Sequence, residues 1–338
     1  FNLVQSLIND GAIFSGHDIS SGGLISCLLE MCFSSLNVGM KIDLTNLNCN
    51  DSIKLLFSEN SGIILQSDQN LDKIFNEIGV ECSKIGETII SNELNILNFE
   101  DNYVFDINHY RDIWYSTSRD FDQKQTKNNK YLERFNNYKK QPLIYNFPKN
   151  FNGNLNKGNR KINAAVLREK GSNSEREMAF KMSLAGFNVK DIHMTDIISG
   201  KEDLKDINLL VAVGGFSNSD VLGSAKGWAG SFIFNKKANE VVNDFFNRKD
   251  TLSLGVCNGC QLFIELGLLN KNHDIKPKME HNDSGKFECT FSVLEIKKSP
   301  SIMLHGLEGS KLGVWSAHGE GKFILPYKEN KYSIPAKY

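Results

Sequence analysis

A cysteine lies between two glycines in the run GVCNG at 255–259, a Gly-x-Cys-x-Gly spacing that suits a nucleophile at a sharp turn. Apolar patterning predicts a buried strand over 252–256 and a helix over 261–266. A strand-to-helix turn strains the nucleophile's backbone, and small flanking residues let the neighbouring chain pass without a clash. The positive end of the helix favours thiolate over thiol, and a free cysteine has a pKa of about 8.5. The spacing therefore predicts Cys257 as a nucleophile.

A thiolate that attacks a carbonyl needs hydrogen-bond donors for the oxyanion that forms. The backbone amide that follows Cys257 is one donor, and the turn after the preceding strand, 209–213, could supply the second. Ligands of parallel sheets bind at the carboxyl ends of the strands, so we expect the two turns to meet there. The predicted oxyanion and substrate pocket consists of Gly214, Gly215, Phe216, Asn258 and Gly259.

One histidine and acid pair follows the cysteine, at His318 and Glu320, on and just after a strand predicted over 314–318. A cysteine nucleophile commonly uses a histidine that an acid orients. Residues two apart on a strand face the same side. The pair is therefore the base with its orienting acid, part of the pocket wall, or a brace for the turn, and all three interpretations stay open.

The same cysteine forms a Cys-x-x-Cys pair with Cys260, which is typical of redox dithiols and of half a zinc site. The sequence contains no second Cys-x-x-Cys and no His-x-x-x-His, so a structural zinc site is disfavoured. A redox or metal-binding module built on Cys257 and Cys260 remains the non-enzymatic alternative.

A second glycine-containing turn, HDISSGG at 17–23, follows a strand predicted over 12–16 and precedes an apolar helix predicted over 24–33. Glycines let backbone amides approach a phosphate, and a helix N-terminus attracts it. A carboxylate beside such a turn, here Asp18, suits Mg²⁺, which binds through carboxylates and phosphate oxygens. The alternative is an ordinary helix start, with Ser20 or Ser21 as the cap and Asp18 in an Asx-turn.

The elements around these turns predict two domains, which also agrees with the length of 338 residues. From residue 161 onward, continuous apolar strands alternate with helices, the pattern of a doubly wound parallel sheet. Residues 1–120 mix helices and strands in an α/β or α+β arrangement. Between 124 and 161, ten lysines or arginines stand against one acid, Glu133. We interpret 121–160 as an Asn/Lys-rich linker, with a nucleic-acid tether as the alternative.

Composition excludes several classes of protein. The net charge of −1 gives no global attraction to nucleic acid or an anionic membrane, so we expect neither as a partner. No stretch approaches the roughly 20 apolar residues of a spanning helix. Seven scattered cysteines argue against a disulfide framework and favour a reducing, cytoplasmic setting.

Taken together, the two turns and their surroundings resemble one family, the large single-chain phosphoribosylformylglycinamidine synthases of purine biosynthesis. In the first 120 residues the resemblance rests on GHDISSGGL (16–24) and LFSENSGIILQ (56–66). In the second part it rests on LREKGSNSEREMA (167–179), GGFSNSDVLG (214–223), KGWAGSFIFN (226–235), GVCNGCQL (255–262), HNDSGKFEC (281–289), SPSIMLHGLEGSKLGVW (299–315) and SAHGEGKF (316–323).

The resemblance implies a class I glutamine amidotransferase domain over 161–338, lacking its end, after the C-terminal half of an AIR-synthetase-like domain over 1–120. It implies formation of formylglycinamidine ribonucleotide from formylglycinamide ribonucleotide, glutamine and ATP. Cys257 would be the glutaminase nucleophile, Asp18 a magnesium ligand and Ser20 a nucleotide contact. The cofactors would be ATP and Mg²⁺, and the partner the remainder of the same polypeptide. A cysteine amidohydrolase or amidotransferase with another acceptor is the enzymatic alternative.

The sequence departs from the family at three places. Asn218-Ser219 stands where the family usually has Tyr-Gly, and Ser21 stands where it has an acid. The family's triad histidine and glutamate belong to a later Pro-His-Pro-Glu segment, and His318 and Glu320 match a different family sequence, His-Gly-Glu-Gly. We therefore expect this chain to be an inactive internal fragment whose triad base would follow Tyr338.

Overall fold

The structure is a computed structural model that describes residues 1–140, 143–148 and 162–338. The chain divides into two compact units, unit 1 (Phe1–Pro142) and unit 2 (Leu143–Tyr338). Within the described ranges, no helix has both the length and the apolar content that crossing a membrane would need.

Unit 1 is an α+β arrangement. Its helices are α1 (Asn2–Asn9), α2 (Gly23–Phe33), α3 (Ser52–Phe57), α4 (Asp72–Asn76), α5 (Ile107–Gln125) and α6 (Lys130–Asn137). Its strands are β1 (Ser15–Ile19), β2 (Gly39–Asp43), β3 (Gly62–Gln66), β4 (Gly86–Ile89), β5 (Glu93–Asn98) and β6 (Asp101–Asp106). Four of them form a sheet of order β4-β2-β5-β6, in which only β2 and β5 are parallel, and β1 pairs with β3 in an antiparallel ribbon.

The apolar helix α2 is the centre of the unit 1 core. Its Leu28 is fully buried in one cluster with Leu94 and Ile96 of β5. At the C-terminal end of α2, the buried Arg111 of α5 donates to the backbone carbonyls of Cys32 and Ser35. The last carbonyls of a helix have no partner within it, so the Arg111 guanidinium stabilises the end of α2.

Unit 2 begins with a parallel sheet and continues into antiparallel strands. Its helices are α7 (Glu175–Leu184), α8 (Met194–Ser199), α9 (Lys226–Ile233), α10 (Lys236–Asn247) and α11 (Asn258–Glu265). Its strands are β7 (Asn163–Arg168), β8 (Asn188–His193), β9 (Leu209–Ala212), β10 (Leu252–Gly255), β11 (Lys278–Glu280), β12 (Glu288–Ile296), β13 (Lys311–His318), β14 (Lys322–Ile324) and β15 (Ala336–Lys337).

The parallel sheet has the order β10-β9-β7-β8 and is covered on both faces. Alternate strand residues belong to two different core clusters, since Ala165 and Leu167 pack with the residues of α8 to α11 and Ala164 and Val166 pack with Met182 of α7. Because β9 and β10 are direct neighbours, their carboxyl ends lie side by side. The expected α/β architecture with a doubly wound parallel sheet is confirmed.

Beyond the parallel sheet, β12 pairs with β13 and β15, and β11 pairs with β14, all antiparallel. The pairing places Cys289 of β12 opposite Ala317 of β13. Ala317 contacts Cys257, which follows β10, and the turn at 319–321 that follows β13 contacts Gln261 of α11.

Several sequence expectations need correction. The strand predicted over 12–16 lies at Ser15–Ile19, so Asp18 belongs to a strand and not to the turn. The strand predicted over 81–90 is limited to Gly86–Ile89, and the hairpin of β5 and β6 was not predicted. Residues 130–137 of the expected linker, 121–160, are helical and belong to unit 1. Residues 141–142 and 149–160 of the linker lie outside the described residues.

Candidate functional site

Cys257 lies at a strained strand-to-helix elbow, here defined as residues 255–259. Its backbone has φ 50° and ψ −110°, and it is the N-cap residue of α11. Such a conformation is costly for a residue with a side chain and persists only where the surroundings enforce it. A Cβ at Gly259 would lie 2.0 Å from the carbonyl oxygen of Ala212, and one at Gly255 would lie 2.7 Å from Cys260 Cα. Both glycines are therefore required by close backbone contacts.

The turn at 214–216, here called the glycine turn, lies against the elbow. A Cβ at Gly214 would be 3.3 Å from Cys257 Cβ. Gly215 has φ +110°, and the amide of Phe216 donates to the Gly171 carbonyl at 2.9 Å. No acceptor among the described residues takes the amide hydrogen of Gly215. The predicted turns meet, and Gly215 rather than Phe216 has the amide that can serve a ligand.

The thiol of Cys257 is exposed, and its Sγ lies 3.5 Å from the carbonyl oxygen of Ala317. The rings of Phe216 and Phe287 lie next to each other, with centroids 6.2 Å apart, and Phe287 also contacts the position of Gly319. The side chain of Asn258, by contrast, is fully buried and points towards the loop at 217–220. The site therefore combines an accessible sulfur, an aromatic wall and the Gly215 amide, which has no acceptor among the described residues.

His318 does not contact the sulfur. Its Nδ1 lies 2.9 Å from Asn282 Oδ1 and its Nε2 lies 3.0 Å from Ser316 Oγ. The side-chain Nδ2 of Asn282 donates to the backbone carbonyls of His318 and Lys286. The Oδ1 of Asn282 therefore faces the imidazole ring, and His318 donates to it from Nδ1. The side chain of His318 thus holds the turn at 319–321 in place.

Glu320 does not contact the His318 ring either. Its Oε2 accepts from the Ser224 amide at 3.3 Å, and its backbone carbonyl accepts from Gln261 Nε2 at 2.7 Å. Its other oxygen lies 3.9 Å from His281 Nδ1. Glu320 therefore connects the loop before α9 to helix α11, and the structure does not form a His318–Glu320 pair.

The second cysteine of the Cys-x-x-Cys pair has a different environment. Burial raises the pKa of the Cys260 thiol, and the neighbouring Cys257 raises it further. All seven cysteines are free. Among the described residues, no group of three or more His, Cys, Asp or Glu side chains is arranged to hold a metal ion. A protonated, largely buried Cys260 is a poor metal ligand, because metals bind the thiolate.

In unit 1, Asp18 is opposite Ile63 in the β1–β3 ribbon, and its side chain is 75% exposed. Ser20 follows the strand and is also exposed. The N-cap of α2 is Gly22, and no side chain caps this helix end, so the capping interpretation of Ser20 and Ser21 is wrong. The amide of Gly22 donates to Glu59 Oε1 at 2.8 Å.

Sequence reasoning missed three side chains that shape these sites. Glu59 and Asn282 lie within the family-like runs 56–66 and 281–289, so their position in those runs was the available signal. The buried bridging role of Asn258 had no local signal, because its hydrogen-bond partners Ser217 and Asp220 are about 40 residues away in the chain.

Comparison with known proteins extends these observations. Relatives include a protein from Arabidopsis thaliana named probable phosphoribosylformylglycinamidine synthase, chloroplastic/mitochondrial, 38% identical over 96% of this chain and 24% of its own length. The Homo sapiens phosphoribosylformylglycinamidine synthase is 34% identical over 100% of this chain and 27% of its own. The chain thus spans about a quarter of the length of these curated relatives.

Among solved structures, PurLQS from Thermotoga maritima matches with 26% identity and a TM-score of 0.42, over 50% of this chain and 72% of that one. Residues 1–96 match the family of the AIR synthase related protein, C-terminal domain. Residues 161–337 match the family of the CobB/CobQ-like glutamine amidotransferase domain. Over these residues, which are more than half of its length, the chain belongs to the CobB/CobQ-like glutamine amidotransferase domain family.

Proposed function

We propose that unit 2 releases ammonia from glutamine, with Cys257 as the nucleophile. The observation that supports this most directly is the strained conformation of Cys257, whose thiol is exposed at the N-terminus of α11 beside the unpaired amide of Gly215. A reactive cysteine at a helix N-terminus with converging amide donors is suited to acyl transfer. Membership of the glutamine amidotransferase family supports the side-chain amide of glutamine as the substrate.

In the proposed reaction, the thiolate of Cys257 attacks the side-chain amide carbon of glutamine, and the carbonyl electron pair moves onto oxygen. The backbone amides of Gly215 and Asn258 donate to this oxyanion. When it collapses, the carbon–nitrogen bond breaks and the nitrogen leaves as ammonia after accepting a proton. The resulting γ-glutamyl thioester reacts with water, which yields glutamate and restores the thiol.

The base for this reaction is proposed to come from another segment. The described residues place the Ala317 carbonyl, and no histidine nitrogen, within hydrogen-bonding distance of Sγ. We therefore assign His318 and Glu320 to the pocket wall, since both are committed to other contacts. The family resemblance suggests that a Pro-His-Pro-Glu segment supplies the histidine and its acid.

We further propose that the chain is part of a phosphoribosylformylglycinamidine synthase, in which the ammonia is incorporated into formylglycinamide ribonucleotide. ATP would supply the phosphoryl group that activates the formyl-amide oxygen. The residues of unit 1 fit an Mg²⁺-bound nucleotide, since Asp18 offers an exposed carboxylate and Ser20, two residues further along the chain, offers an exposed hydroxyl. Asp18 would hold the magnesium ion and Ser20 would contact the nucleotide.

The test is a Cys257→Ala substitution in the full-length polypeptide. We expect loss of glutamine-dependent synthesis and retention of synthesis from added ammonia, because only the first reaction needs the thiol. Cys289→Ala is the matched control, since Cys289 is also exposed and lies opposite Ala317 without contacting the elbow glycines. An equal loss of both activities in Cys257→Ala would assign Cys257 a structural role instead.

A further inference from the structure

Both polar atoms of the Asn258 side chain are hydrogen-bonded behind the elbow. Its Oδ1 accepts from the Ser217 amide at 3.1 Å, and its Nδ2 donates to Asp220 Oδ1 at 3.2 Å and to Gln261 Oε1 at 3.1 Å. The residue has no exposed surface. A buried side-chain amide whose oxygen and nitrogen are both hydrogen-bonded is held in one orientation. The groups that it contacts are therefore held at fixed distances from one another.

The loop that Asn258 holds has an unfavourable backbone. Asn218, Ser219 and Asp220 have φ of 53°, 58° and 49° in succession. Three left-handed residues in a row need outside support, because this conformation is unfavourable for each residue that is not glycine. Asp220 supplies part of it by accepting from the Ala225 amide and the Ser224 hydroxyl.

The same network reaches the third segment around the sulfur. Gln261, which accepts from Asn258, donates from its Nε2 to the backbone carbonyl of Glu320 at 2.7 Å. Two neighbouring side chains of α11, Asn258 and Gln261, therefore connect three chain segments that surround Cys257: the loop after β9, the start of α11 and the turn after β13.

This geometry fixes the distance between the two proposed oxyanion donors. One donor is the backbone amide of Asn258 itself, and the other is the amide of Gly215, two residues before Ser217. Backbone hydrogen bonds also hold the same loop. The Phe216 amide donates to the Gly171 carbonyl, and the Asn218 amide donates to the Lys170 carbonyl. Removing the Asn258 side chain releases the loop from the elbow, while its contacts with 170–173 and those of Asp220 with Ser224 and Ala225 remain, so the distance from the Gly215 amide to the elbow is no longer fixed.

We propose that Asn258 is a positioning residue of the glutaminase step, acting through the Gly215 amide. This inference rests on the proposed function of unit 2. The oxyanion exists only in the transition state and the tetrahedral intermediate, so a displaced donor lowers kcat with little change in KM. Loss of one such donor typically lowers the rate by roughly 10²–10³-fold.

The experiment compares Asn258→Ala with Asn208→Ala in the full-length polypeptide. Asn208 is the matched control because it also bridges β9 and β10, at their opposite ends, by donating to Asp250. For Asn258→Ala we expect kcat for glutamine hydrolysis to fall by about 10²-fold, the lower end of the range for a lost donor, and KM to change by less than about threefold. Synthesis from ammonia and the rate of Cys257 alkylation by iodoacetamide stay within about twofold, since neither needs the oxyanion donors. Asn208→Ala keeps the wild-type kcat.

Two kinds of failure are distinguishable. If the wild-type protein forms no thioester with glutamine, the proposed function fails. If the wild type is active and Asn258→Ala keeps its kcat, the positioning role fails alone. Should Asn258→Ala not fold, as judged by synthesis from ammonia, Asn258→Asp keeps the shape and the acceptor for Ser217 but removes both Nδ2 donations. A wild-type kcat in Asn258→Asp overturns the inference in that case.

Discussion

The contact between the elbow and the parallel sheet can be perturbed by one methyl group, in Gly259→Ala. Gly259 lies at the second position of α11, against the end of β9. An alanine Cβ would be 2.0 Å from the Ala212 oxygen and 2.4 Å from the Ala212 carbonyl carbon. Both are backbone atoms of a buried central strand, so no side-chain rotation relieves the overlap.

The magnitude follows from the distance that must be gained. A separation of 2.0 Å is more than an ångström short of the 3.4 Å at which ordinary contact begins, so the start of α11 has to move away from β9 by that amount. Overpacking a core costs about 1–3 kcal/mol, of which up to about 1 kcal/mol is offset because alanine favours helix more than glycine does. A displacement of about 1 Å at a reacting group can lower a rate by about 10²-fold.

The assay combines urea unfolding with glutamine-dependent and ammonia-dependent synthesis in the full-length polypeptide. We expect Gly259→Ala to lower the free energy of unfolding by about 1–2 kcal/mol and to reduce glutamine-dependent synthesis by about 10²-fold. Synthesis from ammonia should persist. The control is Gly230→Ala in α9, where the nearest atom to the new Cβ, in Phe234, is 3.7 Å away. This substitution should stabilise the helix by up to about 1 kcal/mol.

Unchanged stability and unchanged glutamine-dependent synthesis in Gly259→Ala would refute the claim that the elbow is packed against β9 at its contact limit. Loss of both activities together would show that the substitution affects more than the glutaminase site. Only the selective loss agrees with the structure.

Two further predictions concern stability. Ser219→Gly should raise the free energy of unfolding by up to about 1 kcal/mol in a urea titration, because Ser219 has φ 58° where the family usually has glycine. Asn218→Gly should raise the free energy of unfolding by less, because asparagine tolerates its φ of 53° better than serine tolerates a positive φ. Equal increases in the two variants would contradict this reasoning. Burial raises the pKa of the Cys27 and Cys32 thiols from an ordinary 9.0 to about 11. Their contribution to stability is therefore complete below pH 9.0, where the thiols of the unfolded chain are still protonated, and is lost as the pH rises to about 11. The stability difference between wild type and Cys32→Ala should shrink by about 2 kcal/mol from about pH 8 to about pH 11, and a constant difference would contradict the assignment.

The sequence alone determined the parallel sheet, the elbow and the meeting of the elbow with the glycine turn. These features depend on local patterns, since continuous apolar strands require burial on both faces and a Gly-x-Cys-x-Gly run between strand and helix allows few backbone paths. The strand order places the ends of β9 and β10 together, so two turns far apart in the sequence become one site.

Tertiary structure decided which side chains face the sulfur. His318 and Glu320 have the residue types and spacing of a base and its acid, yet Asn282 and Ser316 bind the imidazole, and Ser224 donates to the carboxylate. Two of these partners, Asn282 and Ser224, lie tens of residues away in the chain, and local periodicity contains no information about them. For the same reason, the buried bridge made by Asn258 and the shift of Asp18 into β1 became visible only when the packed neighbours were known.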